Sequence, residues 1–352
     1  NAGELIDARY SEDDNTRDLP RAVTIDLALY DAAGDIQHFL TAADIPGANQ
    51  MGPVVHDEPC LADGEVHFVG QAVALIAAET DEICRAAERA MQIRYEPLAA
   101  ILSIEEAIAA QTLLGSQRTM ERGDAAAALA CAPHRISGEL RTGAQEHWYL
   151  ESQVCLCLPG EDVEIRVLSS TQNPNETQTL VAEVLGVSKH DVVVEVRRVG
   201  GAFGGKETQA NHVACWAALL CRATRRPVKI RLCRDDDMIM TGKRHRFLSR
   251  YEAGFDDEGA LLALRVELNS DAGAATDLSH AIMERAMLHA DNAYFVPAMS
   301  VVARVWKTNL PSNTAFRGFG GPQGMAVIET VLDRIARILG RDPAEVRRLN
   351  FY

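Results

Sequence analysis

The stretch VRRVGGAFGGKETQ, residues 196–209, constrains the fold of this chain more than any other. Four glycines within six residues admit positive φ and let the backbone approach a neighbouring group closely, with no Cβ in the way. A β-type run, 191–199, leads into the loop and a helical pattern over 206–224 leaves it. Free N–H groups and the positive end of a helix dipole would then face an anion. A second glycine loop, NTAFRGFGGPQ at 313–323, also opens a helix, with Pro322 at its start and Gly340 past its end. Two such loops suit a large anionic cofactor gripped by backbone amides. The plainer reading is two tight strand-to-helix turns.

Neither loop fits a nucleotide fingerprint. Gly200 to Lys206 reads GxxxxGK, but a phosphate-binding loop needs Ser or Thr next, to ligate magnesium, and this chain has Glu207. The preceding strand carries Glu195, Arg197 and Arg198, whereas a central parallel strand of that fold is almost wholly apolar. In the second loop Gln323 stands where a dinucleotide motif requires its third glycine. No GxSxG or HExxH occurs. The formal charge of −15 opposes general nucleic-acid binding, and no apolar run approaches the ~18 residues of a membrane span. Eight cysteines form no CxxC pair, so iron–sulfur wiring would lie elsewhere, and free thiols in a reducing cytoplasm are expected.

The rest of the pattern is mixed α/β, and 352 residues suit about two domains at ~100–200 residues each. Residues 65–69 and 72–78 read as two strands around Gly70, followed by a helix over 80–91 capped by Thr80. A strand over 92–98 is expected to stop at Pro97. Residues 113–133, polar and alanine-rich, read as a linker. Beyond it come strands at 163–168, 228–233, 246–255, 261–271 and 301–305, and helices at 175–185, 279–290, 322–339 and from 343. Within Gly143–Glu151, GAQEHWYLE, the side chains of Gln145, Glu146 and His147 are candidates for ligands, acid–base groups or the polar end of a strand.

Six strings, GAQEHWYLE, TQNPNETQ, VGGAFGGKE, MTGKRHRF, LSHAIMERAMLHADNAY and LPSNTAFRGFGGPQG, run in order over residues 143–324. Together they closely resemble the molybdenum-binding part of the xanthine oxidase and aldehyde oxidase family. The resemblance implies a small hammerhead-like α/β domain over 1–112, the linker 113–133, and the first half of a larger α/β molybdenum-cofactor domain over 134–352. The segment from Ala8 to Pro20 is shorter than the family pattern, which implies a missing strand in the small domain.

The implied cofactor is molybdenum–molybdopterin, or its dinucleotide form, with molybdenum held by the pterin and not by a side chain. Gln145 would hydrogen-bond an oxygen ligand of the metal, and the backbones of Phe203, Gly204 and Arg317 would contact the pterin group. Glu207, Arg244 and Phe319 would line the substrate pocket. The implied reaction hydroxylates hypoxanthine or xanthine towards urate with oxygen from water. Electrons then pass through iron–sulfur clusters and FAD, on partner chains or domains, to NAD. The family's general base lies in a GxGE motif, absent from residues 1–352, so the remaining half of the domain is an expected partner within a higher oligomer. Taken singly, Glu207 reads better as a carboxylate in a first helical turn, worth ~0.3–1 kcal/mol. Arg244 taken singly reads better as a solvated basic strand end. The pair together points to a purine substrate. The alternatives are an aldehyde or other N-heterocycle hydroxylase, and a non-catalytic assembly protein on the same scaffold.

Overall fold

A computed structural model describes residues 5–6, 18–25 and 36–352. The segment where a strand of the small domain is expected to be missing lies largely outside the described residues, which take in only its end, where a strand begins at Asp18. In the small unit β1 (Leu5–Ile6), β2 (Asp18–Ile25), β3 (Ile36–Leu40), β4 (Ala74–Ala78), α1 (Asp81–Ala90) and β5 (Ile93–Ala99) follow in order. β4 is central, antiparallel to both β1 and β3, while β2 and β5 form a separate antiparallel pair. All five β4 residues are buried because both faces are covered. Ile76 and Ala78 meet Cys84 and Ala87 of α1, and Leu75 and Ala77 join the core of the larger unit. Thr80 caps α1 by accepting from the Ile83 N–H, and Glu82, Arg85 and Arg89 look to water as their spacing predicts.

Two local expectations fail here. Residues 65–69 form no strand. Val66 and Phe68 are buried, but the backbone turns back on itself, with the His67 N–H donating to Gln71 Oε1 at 2.7 Å. Alternation alone cannot tell this buried turn from a strand. Nor does Pro97 stop β5, which runs to Ala99. β5 pairs on one side only, so the missing N–H breaks no second ladder.

The larger unit begins with α2 (Ile104–Ala110), β6 (Leu113–Arg122), α3 (Ala125–Cys131) and β7 (His134–Thr142). The linker reading of 113–133 is therefore corrected. β6 is a polar edge strand whose residues are mostly exposed, and the alanine run is a helix capped by Asp124 that buries Leu129. Alanine is the strongest helix former, so the composition of a flexible spacer and of this short helix coincide. Next come β8 (Val154–Pro159), β9 (Ile165–Ser169), α4 (Pro174–Leu185), β10 (Val192–Glu195), α5 (Ala210–Thr224), β11 (Val228–Arg231) and α6 (Arg234–Met240). The chain continues through β12 (Phe247–Phe255), β13 (Leu261–Gly273), α7 (Ser279–Leu288), β14 (Ala298–Lys307), α8 (Gly321–Leu339) and α9 (Pro343–Leu349).

Two sheets carry this unit, ordered β10-β9-β8-β11 and β6-β14-β13-β12-β7. Pairing is antiparallel except for β10 with β9 and β13 with β14. The five-stranded sheet buries one face against α7 and α8, through Leu264, Val266, Met283 and Val327, and the other against α2 and α3. α5 is apolar nearly all round because it lies between the four-stranded sheet and the small unit. Its Trp216 Nε1 donates to the Cys60 carbonyl at 2.9 Å, tying the two units together. No helix among the described residues is long and apolar enough to cross a membrane.

Candidate active site

The two glycine loops meet face to face. The Arg317 N–H donates to the Phe203 carbonyl at 2.8 Å, and a Cβ on Gly204 would stand 2.7 Å from the Ala315 carbonyl oxygen. Gly205 lies against the His147 ring, which itself hydrogen-bonds the Ala315 carbonyl through Nε2 at 2.7 Å. Much of the glycine content thus serves packing between protein segments. Gly320 and Gly324 show the same use, since Cβ atoms there would meet the Ile282 and Ala286 carbonyls of α7 at 2.0 and 2.1 Å.

The first loop does not run straight into a helix. β10 ends at Glu195 and α5 begins at Ala210, so residues 196–209 form a longer connection. Glu207 is therefore not a first-turn carboxylate. Its side chain, half-buried, makes no hydrogen bond or ion pair among the described residues, and desolvation pushes its pKa above the usual carboxylate range. Lys206 does not reach for a phosphate either. It is fully buried, with Nζ 3.0 Å from Glu151 and 2.8 Å from Ser170 Oγ. Burial pulls its pKa down, against the pull of Glu151.

Three further segments complete the arrangement. Gln172 accepts at Oε1 from the N–H groups of Gly204 (2.9 Å) and Lys206 (3.3 Å), so one side chain holds the first loop open. The Arg244 N–H donates to the Gln145 carbonyl at 3.0 Å, bringing GAQEHWYLE beside MTGKRHRF. Arg244 itself lies over the Phe316 ring, 3.9 Å from its centroid, and its Nη2 donates to the Arg317 carbonyl at 2.8 Å. Nη1 is buried with no partner among the described residues, and desolvation lowers the guanidinium pKa. This is not a solvated strand end.

Backbone contacts therefore gather Gln145, Phe203, Gly204, Arg244 and Arg317 into one region. Glu207 and Phe319 are attached to it by short turns, with Glu207 N–H to the Gly204 carbonyl and Phe319 N–H to the Phe316 carbonyl. Phe203 and Phe319 both adopt positive φ, +56° and +48°, a conformation that costs ~1–3 kcal/mol in a bulky residue. Gln145, Phe203 and Arg317 are exposed. Of the three backbones expected to touch a cofactor, Gly204 and Arg317 already spend their N–H groups inside the protein, while that of Phe203 has no acceptor among the described residues. Sequence reasoning gave no role to Gln172 or Phe316, and weighed His147 as a ligand or acid–base group, not as the loop contact it makes. All three lie within the matching strings, but nothing local marks a glutamine that will serve two distant amides.

Residues 107–351 match the family model of the molybdopterin cofactor-binding domain, and residues 17–99 that of the aldehyde oxidase and xanthine dehydrogenase a/b hammerhead domain. Xanthine dehydrogenase of Dictyostelium discoideum is 44% identical over 320 residues, 91% of this chain and 24% of that protein. Xanthine dehydrogenase/oxidase of Rattus norvegicus is 45% identical over 315 residues, 89% of this chain and 24% of that protein. The chain spans about a quarter of the length of these curated relatives. Among solved structures, aldehyde oxidoreductase from Desulfovibrio gigas matches with a TM-score of 0.89 at 24% identity, over 100% of this chain and 40% of that one. Quinoline 2-oxidoreductase from Pseudomonas putida 86 matches with a TM-score of 0.84 at 27% identity, over 99% of this chain and 46% of that one.

Proposed function

This chain belongs to the aldehyde oxidase and xanthine dehydrogenase family, and from that premise we propose that it forms the cofactor-binding part of a xanthine dehydrogenase. The observation that carries the reading is 44–45% identity to xanthine dehydrogenases over about nine-tenths of the chain. The local geometry fits a molybdenum–molybdopterin group: the free Phe203 N–H, the exposed Gln145 and the loop junction at Gly204 and Arg317 would hold it. When bound, that group supplies the two-electron hydroxylation chemistry, with oxygen drawn from water.

Arg244, Glu207 and Phe319 would then orient hypoxanthine or xanthine on the way to urate. Arg244 brings a buried, unused donor, Nη1, whose desolvation costs ~1–3 kcal/mol until an acceptor arrives. Aimed at a purine oxygen, it stabilises negative charge as that charge develops on the ring. Phe316 beneath the guanidinium and the Arg317 carbonyl beside it keep the fork from swinging away. Glu207, with its pKa raised, accepts a hydrogen bond when ionised and donates one when neutral, which suits the mixed edge of a purine. Phe319 offers an aromatic face for stacking. The remaining half of the cofactor domain, iron–sulfur clusters and FAD would complete electron transfer to NAD in a larger oligomer. Eight cysteines, none of them in a disulfide, suit the reducing cytoplasm.

The test is xanthine-dependent NAD reduction by the enzyme assembled with its remaining domains. Glu207→Ala with Arg244→Met should lower xanthine turnover by orders of magnitude. Aldehyde oxidation without xanthine turnover in the unaltered enzyme would sink the purine assignment in favour of an aldehyde hydroxylase.

A further inference from the structure

Asp277, at the entrance to α7, is a buried carboxyl that the proposed chemistry does not use, and it touches both glycine loops. It is 2% exposed, and its two oxygens accept four hydrogen bonds. Oδ2 accepts from Thr208 Oγ1 at 2.6 Å and from Gln209 Nε2 at 3.0 Å. Oδ1 accepts from Thr314 Oγ1 at 2.9 Å and from the Leu278 N–H. The two hydroxyls are themselves 2.9 Å apart, closing a ring across the loops. Gln209 extends the contact, because its Oε1 accepts from the Gly242 N–H at 2.8 Å, and the Lys243 carbonyl accepts from the Thr314 N–H at 3.0 Å.

The side-chain partners, and the Gly242 that Gln209 reaches, stand close along the chain to candidate site residues. Thr208 follows Glu207, Gly242 precedes Arg244 by two residues, and Thr314 precedes Arg317 by three. Two segments remote from one another in sequence thus share a single buried acceptor, and the Arg244 segment joins them through Gln209 and Thr314. Asp277 is not simply a helix cap. α7 begins at Ser279 with Leu278 as its N-cap, and among the described residues the only backbone N–H that Asp277 accepts is that of its neighbour. Burial, with Glu58 nearby, pushes its carboxyl up to about 7, so the hydroxyl donors offset only part of what desolvation costs. Such a group persists where its geometry is useful.

We propose that Asp277 is a positioning residue that locks the two glycine loops and the Arg244 segment into one spacing, and so sets Glu207, Arg244 and Phe319 against the substrate. The inference rests on the cofactor-site reading above but not on the identity of the substrate. Oxygen is required on both sides of the group because each faces an obligate donor, Gln209 Nε2 at Oδ2 and the Leu278 N–H at Oδ1. Asparagine would turn an NH₂ group towards Gln209 Nε2 or towards the Leu278 N–H. Valine at 208 would remove the hydroxyl while keeping the branched shape, and serine would keep the hydroxyl.

The experiment compares Asp277→Asn, Thr208→Val and Thr208→Ser in the assembled enzyme. It measures molybdenum and pterin per chain, the thermal midpoint, and kcat/KM per bound molybdenum on xanthine and on an aromatic aldehyde. Asp277→Asn and Thr208→Val should lose at least about ten-fold in kcat/KM per molybdenum and retain less cofactor, while Thr208→Ser stays within about three-fold of wild type. A lower thermal midpoint with unchanged kinetics per molybdenum would make Asp277 a core residue only and overturn the proposal. So would equal losses in Thr208→Val and Thr208→Ser. If the unaltered enzyme oxidises only the aldehyde, the purine reading fails, and the same comparison on the aldehyde decides this one.

Discussion

Replacing Gly204 with alanine tests whether the two loops meet as described. At this position φ is +101°, which an L-residue rarely adopts, and the new Cβ would lie 2.7 Å from the Ala315 oxygen and 2.8 Å from its carbonyl carbon. Both obstacles are backbone atoms, so no side chain can rotate aside. Strain contributes ~1–3 kcal/mol and the clash another ~1–3 kcal/mol, a loss of about 2–6 kcal/mol if the two add. Two further glycines separate these effects. Gly340, the C-cap of α8, has φ +65°, and a methyl group added there would meet nothing within 4 Å. Alanine at 340 therefore costs only the left-handed strain, about 1–2 kcal/mol. Gly143 has neither a positive φ nor a neighbour within 4 Å, and alanine there should stabilise slightly, by ~0.4–1 kcal/mol through the unfolded chain. Thermal unfolding of the three variants in the assembled enzyme should therefore rank them Gly143→Ala, Gly340→Ala, Gly204→Ala, in falling order. At about 2–4 °C per kcal/mol the last should lie at least about 4 °C below wild type. Molybdenum content should fall with it, because the Phe203–Arg317 contact opens. A Gly204→Ala midpoint no lower than that of Gly340→Ala would refute the loop junction.

His245, 1% exposed and bonded through Nε2 to Ser279 Oγ at 2.7 Å, has its pKa driven down by burial to about 3. The folded chain refuses a proton that the unfolded chain accepts near pH 6.5. The associated stability is therefore fully present above about pH 6.5 and is lost as pH falls towards 3. Unfolding free energies from urea titrations at about pH 6.5 and about pH 5 should differ by about 2 kcal/mol more in wild type than in His245→Gln; equal slopes would show that the histidine is not buried neutral. Thiol titration offers a simpler check. Cys131 and Cys233 are exposed and the other six cysteines buried, so a bulky reagent should label two thiols in the native chain and eight after denaturation. Rapid native labelling of Cys155 or Cys157 would contradict the packing of the four-stranded sheet.

Short-range order and family membership are legible in the residues alone. The amphipathic spacing of α1, α4 and α8, the caps at Thr80 and Asp342, and the hairpin between β12 and β13 all follow from residues within a few positions of one another. The ordered strings from GAQEHWYLE to LPSNTAFRGFGGPQG carried the family. Tertiary packing settled what those residues touch. The polar, alanine-rich stretch over 113–133 became an edge strand and a capped helix because β14 and β13 lie beside it. Lys206, which reads as a phosphate-loop lysine, spends its charge on Glu151, 55 residues away. His147 finds the Ala315 carbonyl across 168 residues, and Asp277 finds Thr208 across 69. Propensity and periodicity act within a turn or two of backbone, whereas a buried polar group must find its partner wherever the fold brings one. The glycine-rich stretch shows both limits at once. Its composition announced a close approach, and only the packed chain shows that much of that approach is to the second loop.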